Sequence, residues 1–458
     1  MKFINRHILG KLTFRLALAY LLFIFVLGWG IAIGRYEVFP FDYLKGPYNE
    51  IVAFVKGGPK GKANISQKIA HELNIIPGRF MVELGTHNKL LKPVSGKIDI
   101  FSKRRELPVF HSKGVRNGFY VIQGIFDFRE SMSGLLAINA MNGQITRYWI
   151  IPRGRKNNSY PQGMELYSDG TIYSSAPNID APTNKSVGDL HGIVGLNWCG
   201  EQLLTIPPKK GDIHHSVNKN GEGFLWTWDG YDFVKFNKNN GKETARFSIF
   251  DVIAANSEIH AFEIRMKGLY RNLKSLSAKD FLSDPFHPND IDPLPKDLSH
   301  SFPEFETGDL LVSLRNLNLI FVLRPNTRKV IWYSQGQVSR QHDPEWNSDG
   351  TISVYNNKPY LENSDITKID LQNNSVKTLV SGKKYSIFGR ARGDHTVLSD
   401  GSILIVATEQ GRMLHVSNDG KELEAEFVNK FDERNGLRIF NAEYVSAIEY
   451  EQFENSCK

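Results

Sequence analysis

The chain has 458 residues, 41% hydrophobic and 23% charged, which excludes global disorder and leaves room for a large core or two domains. Its net charge of +7 is dispersed along the body without Lys/Arg runs, so nucleic acid is not an expected partner, and a mildly basic surface suits anionic small molecules. The two cysteines, Cys199 and Cys457, are too few for a disulfide framework and form no CxxC zinc or redox motif; Cys457 lies near the chain end, where order is usually poor.

Residues 1–15 carry Lys2, Arg6, Lys11 and Arg15 and no acid. Residues 16–34 are 19 residues without a charge. As a helix this stretch nearly spans a bilayer core of roughly 30 Å. The basic flank predicts a cytoplasmic N-terminus and an exported body. The expectation is a single-pass anchor in the inner (cytoplasmic) membrane, with the rest on the periplasmic or extracytoplasmic side. The competing reading is a signal peptide cleaved after Ala32-Ile33-Gly34, but the stretch exceeds the roughly 7–15 residues of a usual apolar region of that kind.

Residues 35–104 read as a juxtamembrane linker and N-terminal segment. Gly57-Gly58-Pro59-Lys60-Gly61 breaks structure, and 65–73 has helical apolar spacing. From residue 105 to 458 a unit repeats: an apolar, β-branched run, a turn, then another strand. Six copies begin at Gly134, His191, Tyr231, Leu319, Ile366 and Arg412, with turns such as Asn142-Gly143, Asn240-Gly241 and Asp419-Gly420. A second hairpin precedes most copies, turning at Asn117-Gly118, Asp169-Gly170, Asp349-Gly350 and Asp400-Gly401. Two hairpins make four strands, which is one propeller blade. The predicted fold is an all-β six-bladed β-propeller with an N-terminal transmembrane helix and a helical insertion at 248–300. Ile253 to Leu273 there has an amphipathic helical pattern, suited to packing on the rim or to a lid.

Equal offsets in repeated units put equal positions at one place in the architecture. The residue eight before each turn glycine is Gln162, His215, His342 and Gly393 in four units. His287 heads its own unit, and Arg315 follows the turn at Gly308. A propeller channel gathers such segments, so imidazoles, an amide and a guanidinium are expected around one axis. Arg matches sulfate or phosphate oxygens through its planar fork, and histidines serve as nucleophile and as acid or base near neutral pH. His395, two residues past Gly393, joins the substrate contacts, although a lone propeller histidine is more often a hydrogen-bonded core residue. His191, His260, His300 and His415 are read as structural. No metal is expected, because an Arg beside a cation is electrostatically poor.

Four motifs carry a family resemblance over roughly residues 105–430: His214-His215-Ser216-Val217, His287-Pro288-Asn289-Asp290-Ile291-Asp292, Leu311-Val312-Ser313-Leu314-Arg315, and Gln341-His342-Asp343 before Asp349-Gly350. In order and context they resemble the bacterial arylsulfate sulfotransferase family, which is independent of nucleotide sulfate donors. The resemblance implies ping-pong transfer of a sulfuryl group from an aryl sulfate to a phenolic or other hydroxyl acceptor, with no cofactor. His342 would be the nucleophile, with His287, Asn289 and Arg315 on the sulfuryl oxygens. His215 or His214 would assist the leaving phenol; strand alternation and the repeat offset favour His215. Gln162 and His395 complete the substrate contacts. The cysteines depart from the family's pair near the site, and Ser216 stands where many relatives carry an acid. The alternatives are a non-catalytic tethered propeller binding an anionic glycan or protein, and a metal-dependent hydrolase. Self-association as a homodimer is left open.

Overall fold

The computed structural model describes residues 17–26, 81–101, 104–127, 133–151, 161–177, 191–213, 215–221, 223–262 and 284–457. The chain divides into two units, 1–73 and 74–458. In the first, the described part is a helix over 17–26 with exposed side chains. Among the described residues no helix is long and apolar enough to cross a membrane. The rest of the expected span at 16–34, its basic flank, the candidate cleavage site and the helix at 65–73 lie outside the described residues.

The second unit is built on six antiparallel sheets, each with four blade strands. From the channel outwards, blade 2 runs Met164–Leu166, Ile172–Pro177, His191–Leu196 and Gln202–Ile206. Blade 3 runs Val217–Asn220, Phe224–Asp229, Asp232–Asn237 and Glu243–Ser248. Blade 4 runs Pro288–Pro293, Leu310–Leu314, Leu319–Arg324 and Lys329–Gln335. Blade 5 runs His342–Trp346, Thr351–Asn356, Asp365–Asp370 and Val376–Val380, and blade 6 runs Asp394–Val397, Ile403–Ala407, Arg412–Val416 and Leu423–Val428. Every one of the six predicted runs falls on the third strand of a blade. Second and third strands are covered on both faces by neighbouring blades, so Leu310–Leu314, Ile403–Ala407 and Arg412–Val416 are buried throughout. That is why they read as continuous apolar runs and not as alternation. Outer strands such as Lys329–Gln335 alternate towards solvent.

Blade 1 closes the ring. Its inner strand is the late segment Ile439–Ser446, paired with Gly118–Ile125, and then come Ser133–Asn139 and Gln144–Ile150. The sequence carries no local sign of this closure, because the pairing spans most of the chain. The boundary at 105 also moves: Val109–Ser112 and Lys92–Pro93 extend the outer edge of blade 6, and Met81–Glu83 pairs with Asn435–Leu437. Described residues expected in the linker are therefore strands laid on the propeller.

The expected insertion at 248–300 needs a similar correction. Its end holds the inner strand of blade 4, Pro288–Pro293. Its helix is short, Ile249–Ala255, with a capping box from Ser248 and Asp251, followed by the turn His260–Phe262. Ile249, Val252, Ile253 and Phe262 pack with Trp228, Phe233, Val312 and Phe321 of blades 3 and 4, which is rim packing. Residues 263–283, including most of the expected amphipathic stretch, lie outside the described residues.

The cysteine expectation is overturned. Cys199 and Cys457 form a disulfide with their Cα atoms 5.4 Å apart, closing 258 residues of chain. The terminal helix Ala447–Asn455 brings Cys457 there: Ser446 and Glu449 cap it, Phe453 packs on Trp198 at 4.9 Å, and Glu454 accepts from Arg147 at 2.7 Å. Local sequence around Cys457 says nothing of a partner so distant. Cys199→Ser is expected to lower unfolding stability by about 2–5 kcal/mol. Reductant is expected to lower the wild type to the same level and leave the variant unchanged in chemical denaturation.

Candidate active site

The inner strands deliver their first residues to the channel. His215 lies just before Val217–Asn220, His287 just before Pro288–Pro293, and His342 opens His342–Trp346. Gly163 and Gly393 hold matching places before the inner strands of blades 2 and 6. The backbone there is left-handed, with φ of 86° at Gly163, 71° at His215 and 48° at His287. Such conformations cost non-glycine residues about 1–3 kcal/mol and persist where the surroundings hold them, often at sites. Gly163 is needed for a second reason: a Cβ there would sit 2.5 Å from the backbone oxygen of His215.

Three imidazoles from three blades meet. The His215 and His287 rings are 5.2 Å apart by centroid and joined Nε2 to Nε2 at 3.2 Å; His215 and His342 are 5.7 Å apart. His287 Nδ1 bonds the Asp284 carboxylate, so that nitrogen carries a proton. Asp284, His287 and His215 thus form a relay with one proton between the two Nε2 atoms.

His342 has a fixed tautomer. Its Nδ1 lies 2.8 Å from Asn357 Oδ1 and 3.1 Å from the Arg340 carbonyl. The Asn357 amide is fixed in turn, because its Nδ2 donates to the carbonyls of Gly389 and Arg392 at 2.7 and 2.8 Å. Both neighbours of Nδ1 are acceptors, so Nδ1 carries the proton and Nε2 the lone pair. Nε2 is buried without a hydrogen-bond partner. Burial, and then Arg315, His287 and Arg392, push the imidazolium down to about 3 despite the bond to Asn357. His342 is therefore neutral across physiological pH.

Positive charge gathers beside it. Half-buried Arg315 is pushed down to about 10, by burial first and then by Arg340 and Arg392, with Asp284 opposing. A guanidinium stays protonated at that value near neutral pH; the shift reports burial first and neighbouring cations second, and a bound anion would offset both. Arg392 donates to Gln162 Oε1 at 2.8 Å.

A cavity lies beside part of this cluster, and His287 and Arg315 are not among its lining residues. His215, His342, Gln162, Arg392 and Phe440 line it, along with Ser216, Asn289, Asp290, Asp343, Asp394 and Asn441. Five buried atoms on lining residues have no hydrogen-bond partner: Ser216 Oγ, Asn289 Oδ1, Asp290 Oδ2, His342 Nε2 and Asn441 Oδ1. Each unmet group of this kind costs about 1–3 kcal/mol.

Two expected contacts change. Asn289 lines the cavity, but its Nδ2 is committed to the Gln341 carbonyl at 2.7 Å, so only its oxygen faces inwards and it does not donate to sulfuryl oxygens. His395 is not among the lining residues; it is buried, with Nδ1 3.1 Å from Asp343 and Nε2 2.8 Å from Ser353 Oγ. Both its nitrogens serve the packing between blades. His214 lies outside the described residues. Arg340, Arg392, Asn357 and Asn441 were not anticipated. Arg340, Arg392 and Asn357 follow strands or sit in blade-joining turns, and Asn441 lies in the closing strand Ile439–Ser446, where no repeat offset singles them out. Among the described residues, no group of three or more His, Cys, Asp or Glu is arranged to hold a metal ion.

Acidic side chains stitch the wall. Glu443 accepts from the Leu166 amide at 3.0 Å, Glu165 from the Lys219 amide at 3.0 Å, Asp290 from Asn218 at 3.0 Å and Asp394 from Asn441 at 2.7 Å. Asp343 accepts from His395, and Trp346 donates to the Asp292 carbonyl at 3.1 Å. Burial raises Asp290, Asp292, Glu345 and Asp394 well above the ordinary carboxylate range, with neighbouring acids adding to it.

Residues 205–428 match the model of the arylsulfotransferase (ASST) family. No curated protein matches the chain. Among solved structures, a protein of unknown function from Bacteroides caccae is similar at 11% identity and TM-score 0.46, covering 72% of this chain and 99% of that one. Virginiamycin B lyase from Staphylococcus aureus is similar at 11% identity and TM-score 0.33, covering 58% and 69%. Hydrazine synthase from Kuenenia stuttgartiensis is similar at 10% identity and TM-score 0.37, covering 64% and 72%.

The buried acids set a pH dependence. Burial, with Glu165, raises Glu443 from 4.5 to about 8. Below pH 4.5 both folded and unfolded states hold the proton. Between pH 4.5 and 8 only the folded state holds it, so stability falls as pH rises through that window. Glu443→Gln keeps an oxygen for the Leu166 amide and removes the titration. Its stability relative to wild type is expected to grow by about 1–3 kcal/mol from pH 5 to pH 8 in denaturant melts. A difference independent of pH would contradict the assignment.

Proposed function

We propose, from the premise that the chain belongs to the arylsulfotransferase (ASST) family, that it transfers a sulfuryl group from an aryl sulfate to a hydroxyl acceptor through His342. The observation that carries this reading is the His342 tautomer: a neutral imidazole with a buried, unpartnered Nε2, on a residue that lines a cavity with Arg392 and feels the charge of Arg315.

In the first half-reaction, His342 Nε2 attacks sulfur and the S–O bond to the aryl group breaks. The departing phenolate takes the proton offered through the His215–His287 pair, leaving sulfohistidine. In the second, the acceptor hydroxyl gives its proton back to that pair, its oxygen attacks sulfur, and the N–S bond breaks. His342 returns neutral. Arg315 and Arg392 stabilise the charge gathered on the sulfuryl oxygens, and crowding by Arg340 strengthens the attraction. Asn357 acts on His342 as a positioning residue.

The propeller is also proposed to be tethered at a membrane, outside the cytoplasm. Support comes from the 19 uncharged residues after a basic flank and from the Cys199–Cys457 disulfide, a bond that persists in oxidising compartments.

Two experiments test these readings. Brief exposure to p-nitrophenyl sulfate is expected to add about 80 Da to the intact protein, the mass of a covalent sulfuryl adduct. In His342→Ala the adduct disappears and transfer falls by about a thousandfold or more, the scale of losing a nucleophile. Equal nitrophenol release by wild type and variant would overturn the nucleophile assignment. For the tether, the full chain is expected to stay in the membrane pellet after alkaline extraction, and release into the supernatant would overturn it.

A further inference from the structure

Part of the cavity wall takes no part in sulfuryl transfer. Asn289 Oδ1 is left buried and unpartnered because its Nδ2 bonds a backbone carbonyl, which can only accept, so the amide orientation is fixed. Asn441, which lines the same cavity, gives its Nδ2 to Asp394 and leaves Oδ1 buried without a partner. Asp290 Oδ1 accepts from Asn218, leaving Oδ2 unmet, and Ser216 Oγ is unmet beside them. These residues come from three separate stretches of chain, yet all line one space.

Such a wall asks for hydrogen-bond donors. Oxygen acceptors repel the oxygens of a sulfuryl group, which belong beside Arg315 and Arg392. A lone phenol brings one O–H, and its proton leaves during transfer. Ammonium donors fit poorly, since the arginines are close and burial keeps Asp290 and Asp394 in the neutral form, raised well above the ordinary range. Neutral hydroxyls fit. Phe440 adds an apolar face on the same wall, suited to ring C–H groups.

Resting on the sulfotransferase reading, we propose that the acceptor carries adjacent hydroxyls, as a sugar ring does: one is sulfated while its neighbours donate to Asn289 and Asn441. This replaces the monophenol as the preferred acceptor and assigns the acceptor side of the cavity to polar recognition.

The test uses the full chain charged with p-nitrophenyl sulfate and offered phenol, catechol and a methyl glucoside in parallel, with sulfated product quantified by mass spectrometry. The expected result is kcat/KM for the glucoside above that for phenol by at least about tenfold, since a site built to bond a hydroxyl rejects analogues lacking it. In Asn441→Ala the ratio of glucoside to phenol transfer is expected to fall, with Ser216→Ala as the smaller second change giving the same direction. Preference for catechol over both others would keep adjacent hydroxyls and move them to an aryl ring. Phenol equal to or better than both overturns the inference while leaving sulfuryl transfer intact. Absence of any sulfohistidine overturns the transferase reading, and this inference with it.

Discussion

Neighbouring inner strands of this propeller belong to different sheets, so no backbone ladder ties them together around the channel. Each presents edge donors and acceptors that must be met in some other way. A hydrogen bond involving at least one side chain crosses every interface: Glu443 to Leu166, Glu165 to Lys219, Asn218 to Asp290, Trp346 to Asp292, His395 to Asp343, and Asn441 to Asp394. The catalytic geometry depends on that ring. It sets the spacing between blades 3, 4 and 5, whose inner strands begin at or just after His215, His287 and His342. A shift between blades would separate rings that now lie within 6 Å by centroid.

The ring also arranges charge. Residues two apart on a strand share a face. Asp290 and Asp292, Asp343 and Glu345, and Asn441 and Glu443 therefore form two tiers along the channel, and Lys219 pairs with Glu165 on the further one. Burial holds most of these acids near neutral, so they bond without a large field. At the strand starts the balance reverses: Arg315 is pushed down by burial first and then by Arg340 and Arg392. In the proposed transfer a donor's sulfate supplies the missing anion, while burial and the same cations keep His342 unprotonated.

The parts of the fold legible in the sequence were those set by local pattern. Asn-Gly and Asp-Gly turns mark hairpins because their backbones need positive φ, and doubly covered third strands read as apolar runs. Equal offsets from turn glycines located His215 and His342, because the repeat fixes where an inner strand begins. Long-range pairings were not legible. The closing strand Ile439–Ser446, the disulfide to Cys457 and the strands laid on the blades before residue 105 all join distant segments. Site residues that act through another residue escaped as well: Asn357 matters for the carbonyl it shows to His342, and Arg392 for its place against Gln162. Asn289 was found by motif, yet its role turned on the Gln341 carbonyl, which only packing brings near. His395 shares the strand-start position but meets Asp343 and Ser353, and so becomes a structural histidine.

The central claim is that His342 holds its proton on Nδ1 and shows a bare Nε2 to the cavity. Nitrogen-15 NMR of histidine-labelled protein, with His342 assigned by substitution, reads this directly. The account predicts a protonated Nδ1 and an unprotonated Nε2, unchanged between pH 8 and pH 5, because burial and the neighbouring cations hold the imidazolium at about 3. The opposite tautomer, or protonation of His342 near the ordinary histidine value, would contradict it.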